Sequence, residues 1–377
     1  MNIFWLFCIF LGLTFVIASE GPDSARYANT LKTFHSEGVT FSDITNSIYT
    51  PGSNFVDVVQ PLLTWFISLF TDNPSILLAC FALIFGFFYS RNLWYLLDKI
   101  DDKISPVTFV LILTFALINP IWNINGFRMW TASQVFIYGL LPYLFEGNKR
   151  RLWWSVGSIL FHFSFIFPVA ILATYALFRN RLNIYFIFFI VTSFINTINL
   201  EAIRDLLDFL PSFMDPRVES YTNINYAQRI AEARERINWY VPLSGEVLTY
   251  TSYLFAIFIF LKGRKRLEGP FLNLFCFGLW FYGWANLASL VPSGGRFVSI
   301  ANLIMIFFIT LYLQDNYSQK VLKVLRVISV PGLILFIVVA IRIGFDYISF
   351  ATTFGNPILS LFVHDNTPLI AYVKGLF

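Results

Sequence analysis

The sequence predicts an all-α, polytopic membrane protein with about nine to eleven transmembrane helices, re-entrant segments and an outer helical cap. Of its 377 residues 57% are hydrophobic and only 13% are charged, and 45 of them are Phe. A soluble fold of this length could not cover so much apolar surface. The apolar runs are long enough to span a bilayer as helices, and short basic clusters separate them.

The charge balance argues against a nucleic-acid partner. The formal net charge is only +4, and Lys and Arg fall in short clusters between apolar runs, which are topology signals of a membrane protein. The sequence has neither a phosphate-binding loop nor a dinucleotide-binding glycine pattern, so no cofactor is predicted. Cys8, Cys80 and Cys276 stand singly, so neither a disulfide framework nor a metal site follows from them.

The chain begins with an apolar run at residues 3–18, which we interpret as a retained first helix because it lacks a basic leading region. Val16 and Ala18 would also suit cleavage before Ser19, which is the alternative. The polar segment 19–54 is predicted to be an outer loop. The next run, 56–70, is short and polar in its first turns, so it either dips into the membrane and returns or spans it.

The remaining apolar runs are predicted membrane segments of a single domain that covers residues 1–377. Each is interpreted as helical from its length and composition. They are residues 75–97, 106–122, 127–145, 152–178, 184–198, 243–261, 271–291, 297–313 and 327–341.

Orientation follows from the basic loops, because Lys and Arg in short loops accumulate on the cytoplasmic side. All five basic loops share one side only if residues 152–178 form a broken hairpin that turns between His162 and Pro168. A single tilted span is the alternative, with Arg179 and Arg181 outside. The five loops contain Lys99/Lys103, Lys149/Arg150/Arg151, Arg179/Arg181, Lys262/Arg264/Lys265/Arg266 and Lys320/Lys323/Arg326.

Two arginines stand at the predicted outer starts of spans. Arg128 follows Asn125-Gly126, and Arg296 follows Gly294-Gly295. Free N–H groups and the helix dipole favour an anion at such a position, and a guanidinium can hold phosphate oxygens in pairs. We therefore predict that the two arginines grip a diphosphate, against the alternative that both extend to lipid headgroups.

His162 and Asp23 are the predicted proton acceptors. His162 follows Arg151 by eleven residues, about 16 Å of helix, so it lies deep in the membrane or at the tip of the hairpin. There it either exchanges a proton with substrate or is bonded to Ser164 as a structural residue. Asp23 precedes Arg26 and Tyr27, and it is either a solvated turn residue or a catalytic base with those two as substrate contacts.

The other predicted substrate contacts lie on the same outer face. Glu246 follows Ser244-Gly245 and either lines an outward cavity or simply begins a helix. Residues 200–241 are predicted to form an amphipathic outer cap, in which Arg229 and Trp239 would contact sugar. The alternative is an aromatic belt at the interface.

These residues together resemble the EpsG branch of the Wzy-type polysaccharide polymerases, as far as Leu313. The matching features are Asp23 with Tyr27, Arg128 at the head of a span, Phe161-His162 after a basic loop, and Arg296 after glycine. Met129-Trp130 departs from the family, which usually has Gln and small residues there, and the outer segment 200–241 is longer than usual.

The resemblance implies a multi-spanning, GT-C-like glycosyltransferase of the bacterial inner membrane. Such a protein joins undecaprenyl-diphosphate-linked oligosaccharide repeat units into capsule, exopolysaccharide or O-antigen, and its expected partners are a chain-length regulator and a flippase besides membrane lipids. A flippase or transporter of the same lipid-linked oligosaccharide is the first rival interpretation. A membrane acyltransferase that modifies surface polysaccharide, with His162 as its base, is the second.

Overall fold

The computed structural model describes residues 2–17, 23–48, 50, 56–100, 104–207, 215–223, 228, 232, 235, 237–316, 320–356 and 366–375. Apart from two isolated β-bridges, Phe15 with Ile348 and Ser349 with Pro368, the regular structure of these residues is helical. The predicted all-α class is therefore confirmed.

The helices are numbered in chain order. Their bounds are α1 Asn2–Leu13, α2 Asp23–Glu37, α3 Phe41–Ser47, α4 Val59–Ser68, α5 Pro74–Leu97, α6 Pro106–Ile118, α7 Phe127–Glu146, α8 Leu152–Phe161, α9 Ile166–Phe178, α10 Leu182–Ser193, α11 Leu200–Leu207, α12 Asp215–Thr222, α13 Tyr240–Phe258, α14 Gly269–Ala288, α15 Arg296–Asp315, α16 Lys320–Gly344, α17 Phe350–Phe354 and α18 Leu369–Gly375. Short 3₁₀ turns include Ile121–Gly126 before α7 and Phe163–Phe165 before α9.

Six helical stretches in the described part of the chain are long and apolar enough to cross a membrane. The longest, Pro106–Glu146, contains both α6 and α7, joined by the 3₁₀ turn Ile121–Gly126. Helices α1, α9 and α10 are apolar but shorter. The protein is thus a multi-pass membrane protein with both long and short apolar helices.

Local sequence signals set where the long helices begin and end. The Asn73 side chain accepts a hydrogen bond from the Ser75 N–H (2.9 Å) ahead of α5, and Ser105 caps α6 in the same way. Each cap is followed by a proline at the first helical position, where no N–H is needed. Helix α7 ends at Glu146 and is capped by Gly147, whose φ of 71° suits glycine.

Basic groups gather around the end of α7. Glu146 pairs with Lys99 (2.8 Å), and Arg179 donates to the Tyr143 hydroxyl (3.4 Å). The loop Lys149–Arg151 follows directly. Three of the five basic loops therefore lie together at this end, which we call the basic end.

The other two basic loops reach the basic end as well. The Asn273 amide, one turn into α14, donates to the Leu144 carbonyl (3.1 Å), which places the preceding loop 262–266 there. Arg326 donates to the Leu313 carbonyl (3.0 Å) near the end of α15. All five basic loops therefore lie at one end of the bundle, as the prediction that they share one side of the membrane requires.

The predicted broken hairpin is also confirmed. Helix α8 runs back along α7 from the basic end and stops at His162, whose backbone is extended (φ −149°, ψ 118°). Helix α9 then returns, because the Tyr175 hydroxyl at its far end donates to the Asn273 carbonyl (3.1 Å) at the basic end. The alternative of one tilted span over 152–178 is wrong.

Two apolar clusters form the core and meet at the start of α7. The larger one includes Met129, and the smaller one includes Tyr27 and Phe127, while Trp130 packs against both. This meeting point lies at the end of the bundle opposite the basic end. We call it the distal end; there α7 and α15 begin and the α8–α9 hairpin turns.

The two predicted outer segments contain helices where they are described. Residues 19–54 include α2 and α3. In 200–241, helices α11 and α12 contact each other through a 3.0 Å hydrogen bond from Arg204 Nε to the Thr222 hydroxyl. The predicted amphipathic cap is described only in part, because residues 208–214, 224–227, 229–231, 233–234 and 236 lie outside the described part.

Candidate functional site

A buried carboxylate, Asp57, forms the centre of a charged cluster at the distal end. It lies just before α4, is 4% exposed, and accepts a hydrogen bond from the Phe163 N–H (2.8 Å) at the hairpin turn. The neighbouring Val58 N–H donates to the Leu160 carbonyl (3.0 Å). The segment before α4 is therefore fastened to the tip of the α8–α9 hairpin.

Arg128, in the first turn of α7, binds the same carboxylate. Its Nη1 lies 3.0 Å from Asp57 Oδ2, and its Nε donates to the Tyr27 hydroxyl of α2 (3.3 Å). An aromatic stack fixes that tyrosine, since Tyr27 meets the edge of Phe81, which lies flat on Phe127 with ring centroids 4.0 Å apart. The guanidinium is thus oriented from two sides.

His162 completes the cluster from the hairpin turn. Its Nδ1 lies 3.4 Å from Asp57 Oδ1 and its side chain is 15% exposed. The Ser164 N–H approaches the same nitrogen at 3.4 Å. Nδ1 therefore lies between a carboxylate that only accepts hydrogen bonds and an N–H that only donates. It donates to Asp57 in the tautomer with a proton on Nδ1 and accepts from Ser164 in the other tautomer.

The cluster keeps Asp57 charged. Burial alone would raise the pKa of Asp57, but His162, Arg128 and the Phe163 N–H outweigh it and hold this pKa below its usual range. The carboxylate in turn neutralises Arg128. A paired and hydrogen-bonded cluster of this kind is the form in which buried charges are retained in proteins.

A cavity of about 210 Å³ lies beside this cluster. The 3₁₀ turn before α7 contributes Trp122, Asn123 and Asn125, while α7 contributes Trp130 and the segment after α16 contributes Tyr347. Its wall therefore combines aromatic rings with amide groups, a mixture typical of ligand sites that fix orientation through a few polar contacts.

Two charged groups of opposite sign also line the cavity, Asp23 from α2 and Arg296 from α15. Asp23 forms an ion pair with Arg26. Arg296 has neither an ion-pair nor a hydrogen-bond partner among the residues that the structure describes. Arg296, which is exposed, therefore lines the cavity with a guanidinium that has no described carboxylate partner.

The structure brings most of the sequence-predicted site residues to the distal end. Arg128, His162 and Tyr27 form the cluster, and Asp23 and Arg296 line the cavity. The charged cluster and the cavity adjoin at the start of α7, because Gly126 and Met129, on either side of Arg128, line the cavity. The two arginines thus occupy adjoining compartments of one site.

The remaining predicted contacts are not part of this site. Arg26 touches it only through Asp23, with two thirds of its side chain exposed. Glu246 is exposed on α13, and Trp239 is 74% exposed just before that helix; neither lines the cavity. Arg229 lies outside the described residues.

Sequence reasoning did not assign Asp57 to the site. In the sequence, Asp57 is one of the polar residues in the first turns of the short apolar run 56–70. The signal that could have identified it is chemical: a carboxylate among apolar residues needs a cationic partner. Arg128 and His162 were the two candidates already identified on the same face.

The fold and the site define a multi-pass helical membrane protein with a buried, paired charge cluster beside a polar and aromatic cavity. The EpsG family model matches residues 3–352, and the chain belongs to the EpsG family. This membership supports a polysaccharide-polymerase-like membrane protein of polysaccharide biosynthesis. Comparison with curated proteins and with solved structures found no match.

Proposed function

We propose that this protein is a glycosyltransferase that joins undecaprenyl-diphosphate-linked oligosaccharide repeat units at the outer face of the bacterial inner membrane. The observation that carries the proposal is Arg296, an unneutralised guanidinium in a cavity rich in aromatic and amide groups. An anionic group with a sugar attached matches this lining, since the arginine suits phosphate oxygens and the other groups suit a sugar.

The two arginines have different roles in this proposal. Arg296 binds the donor diphosphate directly and stabilises the negative charge that develops on it. Arg128 is paired with Asp57 (3.0 Å), so its net contribution to the field at the cavity is smaller. It acts beside Arg296 as an oriented hydrogen-bond donor at the start of α7.

The reaction joins two repeat units. A hydroxyl oxygen of the acceptor unit bonds to the anomeric carbon of the donor, and the bond from that carbon to the diphosphate oxygen breaks, leaving its electron pair on the diphosphate. The hydroxyl proton passes to Asp23, whose carboxylate lines the cavity, while His162, behind Asp57, orients the cluster.

The orientation of the helical bundle in the membrane, inferred from its basic loops, supports action at the outer face. All five basic loops lie at the basic end, which the positive-inside tendency assigns to the cytoplasm. The cavity and Arg296 lie at the opposite, distal end. Lipid-linked repeat units that have crossed the membrane would present their sugars on that side.

The test is a gel of surface polysaccharide from cells that lack this protein. The cells are complemented with wild type, with Arg296→Ala, or with Arg181→Ala as a matched control, because Arg181 is exposed at the basic end. We expect single repeat units on the carrier in the deletion and a long ladder with wild type and Arg181→Ala. Arg296→Ala should insert normally and restore no ladder.

Other outcomes contradict the proposal. A full ladder with Arg296→Ala would remove the assigned role of Arg296. Repeat units that accumulate only on the cytoplasmic face in the deletion would indicate a flippase instead. A normal ladder in the deletion that lacks only an acyl decoration would indicate an acyltransferase.

A further inference from the structure

Two tryptophans of the cavity are each held against a glycine. A Cβ atom at Gly126 would come within 2.9 Å of the Trp130 ring, and one at Gly344 would come within 3.1 Å of the Trp122 ring. Any larger residue at either glycine would push the indole into the cavity or away from it. The backbone thus fixes two flat aromatic surfaces on the cavity wall.

Both indoles also have unused hydrogen-bonding capacity. Neither the Trp122 nor the Trp130 N–H has a hydrogen-bond partner among the described residues. The Asn123 amide nitrogen donates to Asn119 Oδ1 (3.0 Å), which directs its carbonyl oxygen elsewhere. A ligand could therefore meet N–H donors and a carbonyl acceptor next to the aromatic surfaces.

Asn125 has a different task from its neighbour Asn123. Its side-chain oxygen accepts from the Ser24 N–H (3.3 Å) at the start of α2, and its side chain also hydrogen-bonds to Tyr347. Asn125 therefore ties the 3₁₀ turn to α2 and to the segment after α16. The cavity wall is held together by protein contacts and does not depend on a ligand for its shape.

The size of the cavity limits what it can hold. At about 210 Å³ it is smaller than the pockets that enclose drug-sized molecules. An oligosaccharide repeat unit cannot fit inside, but one sugar ring can, and a ring offers apolar C–H faces for aromatic packing and hydroxyls for the polar groups.

We propose that this cavity is the subsite for the single sugar ring bonded to the carrier diphosphate, with Trp122 and Trp130 against the ring and Arg296 at the phosphate. This inference rests on the proposed function, because it takes the anion at Arg296 to be that diphosphate. The remaining sugars of the donor extend out of the cavity at the distal end.

The experiment measures binding to the purified full chain with two probes. One is the repeat-unit oligosaccharide released from its carrier as the 1-phosphate, and the other is the same oligosaccharide after phosphatase treatment. We expect Trp130→Ala to weaken both probes by about tenfold, the equivalent of one good aromatic contact. Arg296→Ala should weaken only the phosphorylated probe, by about tenfold or more.

Two further variants keep the result interpretable. Trp153→Ala removes a tryptophan that is 78% exposed on α8 and should bind both probes like wild type. Trp130→Phe keeps an aromatic face, so it should retain most binding even if Trp130→Ala does not fold. Unchanged binding of both probes by Trp130→Ala, or wild type that binds neither probe at millimolar concentration, would overturn the subsite.

The outcome is independent of the polysaccharide gel. Ring binding that depends on Trp130, in a protein whose loss leaves the ladder normal, would keep the subsite and reject the polymerase. A ladder that needs Arg296, in a protein whose Trp130→Ala variant binds both probes normally, would keep the polymerase and reject the subsite.

Discussion

At the scale of single residues, Asp57 shows what one buried charge requires of its surroundings. Three groups from two other segments converge on its carboxylate: Arg128 from α7, and His162 and the Phe163 N–H from the hairpin turn. Each of these side chains alone would be costly to bury, and together they compensate one another. The cluster therefore fixes the relative positions of α7, the hairpin and the segment before α4.

The first prediction concerns the charge on Asp57. Asp57→Asn keeps the shape of the side chain but leaves Arg128 without its anionic partner, so we expect the free energy of unfolding to fall by about 3 kcal/mol. The measurement is a detergent-denaturation titration of the purified protein in mixed micelles. Glu146→Gln is the matched control, since it breaks the exposed pair with Lys99 and should cost about 0.5 kcal/mol.

A loss no larger than that of the control would show that Arg128 does not depend on Asp57. The comparison is informative because both changes convert a paired carboxylate into its amide. They differ in burial, since the Asp57 side chain is 5% exposed and the Glu146 side chain 42%.

The second prediction concerns the hydroxyl of Tyr27. Tyr27→Phe retains the edge contact with Phe81 and removes only the hydrogen bond to Arg128 Nε (3.3 Å). We expect the free energy of unfolding to fall by about 1 kcal/mol in the same titration, because the Arg128 Nε–H loses its acceptor. Tyr372→Phe, at an exposed position, should leave stability unchanged, and equal effects of the two changes would contradict the role given to Tyr27.

The sequence identifies Arg128 and His162 as members of the site but not the carboxylate of Asp57 that organises them. Arg128 and His162 were recognised because each is costly in an apolar segment. Asp57 lies far from both in sequence, and no local spacing connects residues that meet only through tertiary packing. The cavity could not be predicted either, because Trp122 and Tyr347 come from segments more than two hundred residues apart.

At the scale of helices, α1 and α5 illustrate how small residues allow close packing in a membrane. A Cβ atom at Gly12 would lie 2.5 Å from the Leu78 carbonyl oxygen and 2.6 Å from the Ala79 Cα. Gly86 of α5 is similarly close to Cys8. Lipid tails are as apolar as the helix surfaces, so the hydrophobic effect does not drive helices together within the membrane. Close van der Waals packing at small residues favours their association instead.

The third prediction follows from that contact. Gly12→Ala must move α1 away from α5, so we expect the free energy of unfolding to fall by about 2 kcal/mol. Gly157→Ala is the same substitution within α8, where nothing lies within 4 Å of the added methyl group. That control should be neutral or stabilise by about 0.5 kcal/mol, and a neutral result for Gly12→Ala would contradict the close packing of α1 on α5.

Most helices were predictable because their signals are local. The apolar runs and the prolines after Asn73 and Ser105 define α5 and α6 from sequence alone. The helices within 19–54 were harder to recognise, since α2 is polar overall and its buried face, which includes Tyr27 and Leu31, is stabilised by neighbours instead of by its own composition.

At the scale of the whole molecule, the two ends of the bundle differ in charge and in function-related features. Positive loops lie at the basic end, and the charge cluster and cavity lie at the distal end. Placing all five basic loops on one side requires a hairpin between Arg151 and Arg179, and the structure has that hairpin. Global charge patterning thus predicted a local backbone break that the composition of residues 152–178 did not require.

The fourth prediction tests this polarity in cells. In a variant with Cys8, Cys80 and Cys276 replaced by Ala, single cysteines are placed at Arg150, Arg181 or Trp239, which are exposed positions. A membrane-impermeant maleimide should label Trp239→Cys in intact cells. Helix α13 leads from Trp239 to the basic loop 262–266, so Trp239 lies at the opposite, distal end. The maleimide should label Arg150→Cys and Arg181→Cys only after permeabilisation, because translocation of the basic loops is unfavourable.

The pair at 150 and 181 is the decisive comparison, because the α8–α9 hairpin lies between them. Equal protection of both positions requires the chain to enter and leave on the same side at His162. Labelling of Arg181→Cys alone in intact cells would mean that the segment crosses the membrane, and the Asp57 cluster would then not sit at the tip of a hairpin. Labelling of both basic positions from outside would reverse the bundle and place the cavity in the cytoplasm, where a polymerase of externalised repeat units could not use it.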